Sequence, residues 1–135
     1  MEESQTEHIR ILLTETQVIE MLQYMKQKVK VGDYIVLWNL EKNKKLKEDY
    51  YISNDMVRAI LLALDAKEDY RWAEKSINDN HENDIVNVYK INVSLKKKND
   101  GNDYDVTIYI KFAHDLVDDT KKSVVIGFHE DNVIL

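Results

Sequence analysis

The apolar run from Ser123 ends on an imidazole, His129, followed at once by Glu130 and Asp131. A histidine gives or takes a proton near pH 7, so His129 is a candidate acid or base. It reads equally as a strand-end histidine hydrogen-bonded to a loop. Upstream, Tyr109 and Lys111 stand two residues apart and therefore project from the same side of a strand. Lys111 also fits a solvent-facing strand lysine that discourages stray edge pairing. Tyr89 belongs to the preceding strand, either in its core or on its functional face. Arg71 suits a phosphate clamp or a helix-end surface charge. Lys42, Lys44, Lys45 and Lys47 crowd one short polar stretch, which is either a solvated loop or an electrostatic handle for a polyanion.

Other chemistries find less support. His81-Glu82, His114-Asp115 and His129-Glu130-Asp131 pair imidazole with carboxylate, the donor types that zinc and manganese accept. None has the His-x3-His spacing of a helical site, so no metal and no cofactor is expected. The chain has no cysteine, which removes thiolate ligands, disulfides and a cysteine nucleophile. No serine sits in a glycine elbow. With three glycines in the chain, no phosphate-cradling glycine loop can be written.

These candidates depend on the elements that carry them. Tyr104–Phe112 alternates strictly, with Tyr104, Val106, Ile108, Ile110 and Phe112 on one side and Asp105, Thr107, Tyr109 and Lys111 on the other. It reads as a strand with one buried face. Ser123–His129 is nearly continuous in apolar residues and reads as a central strand covered on both faces. Ile85–Leu95 is a further strand, and Asn99-Asp100-Gly101-Asn102 is a strong hairpin signal joining it to Tyr104–Phe112.

Ahead of this meander, Thr14 and Gln17 have capping-box spacing, and Val18, Leu22, Met25 and Val29 recur at helical intervals up to Gly32. Tyr34–Trp38 is a short strand candidate and Asn39–Asp49 a polar loop. Ile52–Leu64 reads as a second helix, capped by Ser53, Asn54 or Asp55, with Met56, Ile60 and Leu64 on one face beside Val57 and Leu61. Residues 1–8 read as a frayed end, 65–72 as a turn or a last helical turn, and 75–84 as an Asn/Asp-rich loop. Ala113–Lys122 is a polar connection, and Glu130–Leu135 a short edge strand or a tail. The expected fold is α+β, with N-terminal helices on one face of a small antiparallel sheet, in a single domain over residues 1–135.

The chain of 135 residues is long enough for one self-sufficient core. Its 44% hydrophobic and 33% charged residues suit a globular protein. No apolar run approaches the roughly 20 residues of a membrane span, so no membrane partner is expected. Met1-Glu2-Glu3 has the wrong charge for a secretory signal, and the absence of cysteine fits a reducing compartment. A cytoplasmic location is therefore expected. The net charge of −6 disfavours nucleic acid unless the basic residues cluster.

The layout and several strings resemble the motility quorum-sensing regulator (MqsR) family of toxins, within the RelE-like group of mRNA interferases. The shared pieces are the helix ending before Gly32, the Lys/Asn/Leu-containing stretch, and Ile60-Leu-Leu-Ala-Leu64 followed by Asp69-Tyr70. Later come Asn87-Val-Tyr89, Ile108-Tyr-Ile-Lys111 and Val125-Ile-Gly-Phe-His129. The resemblance implies the toxin of a type II toxin–antitoxin pair, cutting mRNA without a metal, on the ribosome or free. Its partners would be mRNA and a cognate antitoxin protein. A base would take the proton of a ribose 2′-hydroxyl, cations would stabilise the charged transition state, and an acid would protonate the leaving oxygen.

The resemblance assigns catalysis to Lys111, His129 and Tyr89; Arg71, Tyr109, Lys44 and Lys45, read from their charge and placement, are the candidates for RNA binding. Arg71 and Trp72 stand where a lysine is expected, and the pI of about 5.2 is unlike the basic character of such nucleases. The alternative is a non-enzymatic acidic interaction module, an inactive toxin-like protein binding a protein partner through its sheet. The nuclease requires Lys111, His129 and Tyr89 to converge on one concave, locally positive surface. The module requires a flat or apolar patch without convergence.

Overall fold

The structure, a computed structural model, describes residues 8–76, 84–115 and 122–135. In chain order the elements are β1 (His8–Ile11), α1 (Glu15–Lys30), β2 (Tyr34–Val36), α2 (Glu41–Asp49), β3 (Tyr50–Tyr51), α3 (Asn54–Ala63), β4 (Tyr70–Ser76), β5 (Asp84–Lys97), β6 (Asp103–Asp115) and β7 (Ser123–Glu130). The fold is α+β. Among the described residues its sheet has seven strands in the order β1-β4-β5-β6-β7-β2, with β3 paired to the end of β5. All pairings are antiparallel except β2 with β7. The sheet is thus larger than the expected three-strand meander.

Local chemistry explains the ends of the helices. Thr14 Oγ1 accepts from the Gln17 backbone N–H at 3.1 Å, and Gln17 Oε1 accepts from the Thr14 N–H at 2.8 Å. Two of the unpaired donors at the start of α1 are satisfied this way. The chain leaves α1 through Gly32, whose φ of +78° a side chain would resist. Ser53 caps α3 by accepting from the Met56 N–H. On α3, Val57, Ile60 and Leu61 are buried while Met56 is exposed, so the buried stripe is narrower than the expected face.

The core joins Leu22, Met25 and Val29 of α1, Leu46 of α2, and Val57, Ile60 and Leu61 of α3 to alternate residues of the sheet. The sheet contributes Tyr89 and Leu95 of β5, Val106, Ile108, Ile110 and Phe112 of β6, and Val125 and Phe128 of β7. Alternation sends the intervening residues of β5, β6 and β7 to the second face, where Lys90, Tyr109, Lys111 and His129 stand beside the buried Val86 and Val88.

The polar stretch read as a loop at Asn39–Asp49 is mostly the helix α2. Its anchor is Asn43, only 1% exposed. The Asn43 amide donates to the carbonyls of Leu37 at 2.9 Å and Ile126 at 2.8 Å, and its oxygen accepts from the Phe128 N–H at 2.8 Å. These bonds lock α2 onto β7 where β7 departs from regular pairing with β6. Asn43→Ala leaves a buried N–H without a partner and is expected to cost about 2–4 kcal/mol of stability. Urea unfolding measures this, and a loss well below 1 kcal/mol would show that the amide is dispensable.

Candidate functional site

The polar face is built by register. Lys111 lies opposite Val88 on β5 and Gly127 on β7, while Tyr109 lies opposite Lys90 and His129. Lys111, Tyr109 and His129 therefore share one face, on adjacent rungs. The Tyr109 and His129 rings stack, with centroids 4.9 Å apart and planes 18° apart. Gly127 makes this arrangement possible. A Cβ there would come within 3.1 Å of the Lys111 Cβ and 3.5 Å of the Tyr109 ring.

Strands β1 and β4 extend the face. Glu74 of β4 accepts from the Trp72 indole N–H at 2.7 Å and pairs with His8 at 3.2 Å and Lys111 at 3.6 Å. The Arg10 guanidinium covers the Trp72 ring at 3.9 Å from its centre. Lys90 pairs with Asp131 at 3.1 Å. Burial alone would push the Glu74 carboxyl up, but the Trp72 hydrogen bond, Lys111 and His8 together hold it below its ordinary value. Glu74 is thus an anion set among the cations of the face.

His129 Nδ1 lies 2.9 Å from the Glu130 carbonyl. A carbonyl only accepts, so Nδ1 carries the proton, and in the neutral ring Nε2 offers a lone pair. Burial lowers the His129 pKa, against the Glu130 hydrogen bond that raises it, and the Lys42 and Lys111 charges lower it further. The neutral imidazole is therefore favoured. Tyr109 is shifted up by burial, then by Glu74 and Asp131, and keeps its hydroxyl proton.

Tyr89 does not join this group. It is fully buried on the core face, stacked on Phe112 at 5.7 Å and edge-on to Tyr70 at 5.5 Å. Residues 85–89 are buried on both faces of β5, so alternation alone could not say which side faced inward. The Tyr89 hydroxyl has no hydrogen-bond partner among the described residues, and burial raises its pKa far above the ordinary range. Tyr89→Phe is accordingly expected to leave stability unchanged or slightly higher, and RNA cleavage unaltered. A rate loss of tenfold or more, measured on RNA, would return Tyr89 to the site.

The RNA-binding candidates divide as well. Tyr109 is in the site. Arg71 is exposed at the bulge between Tyr70 and Trp72, and its guanidinium turns back onto the Glu68 and Tyr70 carbonyls at 3.0 and 3.2 Å. It is a strand-bulge residue, not a helix-end one. Lys44 is exposed on α2 and Lys45 pairs with Asp49 at 3.2 Å. Lys42, from the same helix, is the one whose charge acts on His129.

His8, Arg10, Trp72 and Glu74 were missed as site residues because neither β1 nor β4 was read as a strand: His8 fell in the frayed end 1–8, Trp72 at the end of the turn 65–72, and Arg10 and Glu74 in stretches given no element. Among the described residues, no three histidine or carboxylate side chains gather to hold a metal ion, and no helix is long and apolar enough to cross a membrane. The His81-Glu82 pair lies outside the described residues.

Comparison with protein-family models, with curated proteins and with solved structures finds no match to this chain.

Proposed function

We propose that this chain is a metal-independent endoribonuclease that cuts mRNA at the polar face of its sheet, as the toxin of a type II toxin–antitoxin pair. The observation that carries the reading is the neutral, ring-stacked His129 one rung from the Lys111 ammonium. In this reading His129 Nε2 takes the proton of a ribose 2′-hydroxyl, and the freed oxygen attacks the adjacent phosphorus. Lys111 stabilises the charge that grows on the phosphoryl oxygens, and the Tyr109 hydroxyl gives its proton to the 5′-oxygen as the phosphorus–O5′ bond breaks, leaving a 2′,3′-cyclic phosphate. Lys42 favours the basic form of His129.

The reading includes a RelE-like architecture, with helices on one face and RNA on the other. It is supported by the shared core of α1, α2, α3 and alternate residues of β5–β7. Its partners are mRNA, on the ribosome or free, and a cognate antitoxin in the cytoplasm. Induced expression without the antitoxin, followed by primer extension on cellular RNA in EDTA, tests it. New 5′ ends and growth arrest are expected; intact RNA would sink the reading.

The acidic interaction module keeps one specific observation in its favour. Glu74 and Asp131 pair with Lys111 and Lys90, so the face carries ion pairs where an unbalanced positive surface would suit RNA better.

A further inference from the structure

The cations of the polar face differ in what holds them. Lys90 pairs with Asp131 at 3.1 Å and Lys111 with Glu74 at 3.6 Å. Arg10 is exposed, and its guanidinium makes no ion pair and no hydrogen bond among the described residues. Its natural partner is close, because Arg10 lies directly opposite Glu74 in the β1–β4 register. Glu74 is already engaged. Its Oε2 accepts from the Trp72 indole N–H at 2.7 Å, and its Oε1 meets His8 at 3.2 Å as well as Lys111. The Arg10 guanidinium lies instead over the Trp72 ring, 3.9 Å from its centre.

These groups share one face of the sheet. Trp72 is opposite Val88, Val88 is opposite Lys111, and Lys90 stands two residues on from Val88. Glu74, opposite Arg10, stands two residues on from Trp72. Residues paired across antiparallel strands, and residues two apart along one strand, project to the same side. The Arg10 charge also reaches the catalytic group. Burial raises the Tyr109 pKa, Glu74 and Asp131 add to the rise, and Arg10 opposes them. A guanidinium stacked on a ring keeps its five N–H donors in its own plane, around the rim of the stack. They stay open to a forked contact with an anion, and the ring has already fixed the plane in which that contact forms.

We propose that Arg10, held flat on Trp72, takes a backbone phosphate of the RNA bound at the polar face. Lys90 and Lys111 share their charge with a carboxylate, whereas Arg10 offers a whole one. The clamp for which Arg71 was a candidate thus falls to Arg10, since the Arg71 guanidinium is turned back on the Glu68 and Tyr70 carbonyls. Arg10 sits on β1, the strand at one end of the sheet, and His129 on β7 near the other. A strand of RNA laid across β4, β5 and β6 therefore meets the clamp at one end of its path and the imidazole at the other. The choice of RNA as ligand rests on the proposed function, whereas the stacked guanidinium is independent of catalysis.

The test is fluorescence anisotropy with a labelled, uncleavable 2′-O-methyl oligoribonucleotide over a range of salt. Arg10→Ala is expected to weaken binding about tenfold, the scale of one hydrogen-bonded charge contact. It should also lower the slope of log affinity against log salt by about 0.7, the value for one single-strand phosphate. Arg10→Lys keeps the charge and should keep the slope, but it loses the fork and should bind more weakly than wild type. Trp72→Leu removes the platform and should weaken binding about two- to fivefold. Arg71→Ala, the loss of a guanidinium of equal charge, should leave affinity and slope unchanged. Wild-type affinity and slope in Arg10→Ala would overturn the proposal, and so would an equal loss in Arg71→Ala. Displacement by polyglutamate as readily as by unlabelled RNA would overturn it in favour of an acidic protein partner. A protein that binds the oligonucleotide through Arg10 but cuts no RNA would overturn the catalytic reading and leave the clamp standing. An Arg10→Ala variant that cuts RNA with wild-type kcat/KM would overturn the clamp and leave the catalytic reading.

Discussion

Lys111→Ala is expected to slow RNA cleavage by about two to three decades. A preorganised cation aimed at charge that develops only in the transition state is worth about 2–4 kcal/mol, and each 1.4 kcal/mol is a factor of ten in rate. The same variant should fold. Lys111 is half-buried, and its partner Glu74 keeps the Trp72 and His8 hydrogen bonds when the ammonium is gone. A partly exposed ion pair contributes about 0–1 kcal/mol, so the melting curve should move little. Separation of the two readouts is what identifies a catalytic lysine. Primer extension in EDTA and growth after induction measure the first, and thermal unfolding the second. Equal RNA patterns and equal growth for wild type and Lys111→Ala would favour the interaction module. A large fall in stability would instead make Lys111 a structural cation for Glu74.

What the sequence disclosed follows from where each element keeps its signal. Helix α1 was legible because Thr14 and Gln17 mark its start and Val18, Leu22, Met25 and Val29 repeat at its period. The β5–β6 hairpin was legible from Asn99-Asp100-Gly101-Asn102, where Gly101 takes a φ of +71°. Tyr109, Lys111 and His129 could be named because β6 alternates strictly and β7 ends on a histidine.

Helix α2 was not legible. It buries Leu46 and a polar anchor, Asn43, so no apolar stripe exists, and Leu40 at its N-cap makes no side-chain bond. Strand β4 was hidden for a different reason. Its bulge between Tyr70 and Trp72 breaks the two-residue period, and Arg-Trp-Ala-Glu-Lys has no run of β-branched residues. With β4 and β1 unread, Glu74, Trp72, Arg10 and His8 could not be placed beside Lys111. Their positions come from long-range pairing, which local periodicity does not encode.

His129→Ala is expected to lower cleavage by about two to four decades, the contribution of a positioned acid–base group. It should also remove the acidic limb of the pH profile. The base must be neutral to act, and burial, Lys42 and Lys111 hold the His129 pKa below its ordinary value of 6.5. Activity should therefore rise with pH through a midpoint below 6.5. Lys42→Gln removes one of the charges that favour the neutral form, so its midpoint should move upward. Tyr109→Phe keeps the ring stacked on the imidazole and should retain the limb.

Folding has its own pH dependence, and the two must be measured together. His129 and His114 are both shifted down, chiefly by burial. As pH falls from their unfolded value near 6.5 toward their lower folded values, the unfolded chain binds protons that the folded chain does not, and stability declines. Glu74, also shifted down, extends the decline at lower pH, below its unfolded carboxylate value and down through its folded one. The catalytic limb is then the part of the kcat/KM profile that changes at pH values where the protein is still folded, as followed by circular dichroism. A limb that persists unchanged in His129→Ala would remove the imidazole from the reaction. One that tracks unfolding in every variant would mean that acid acts on the fold rather than on the base.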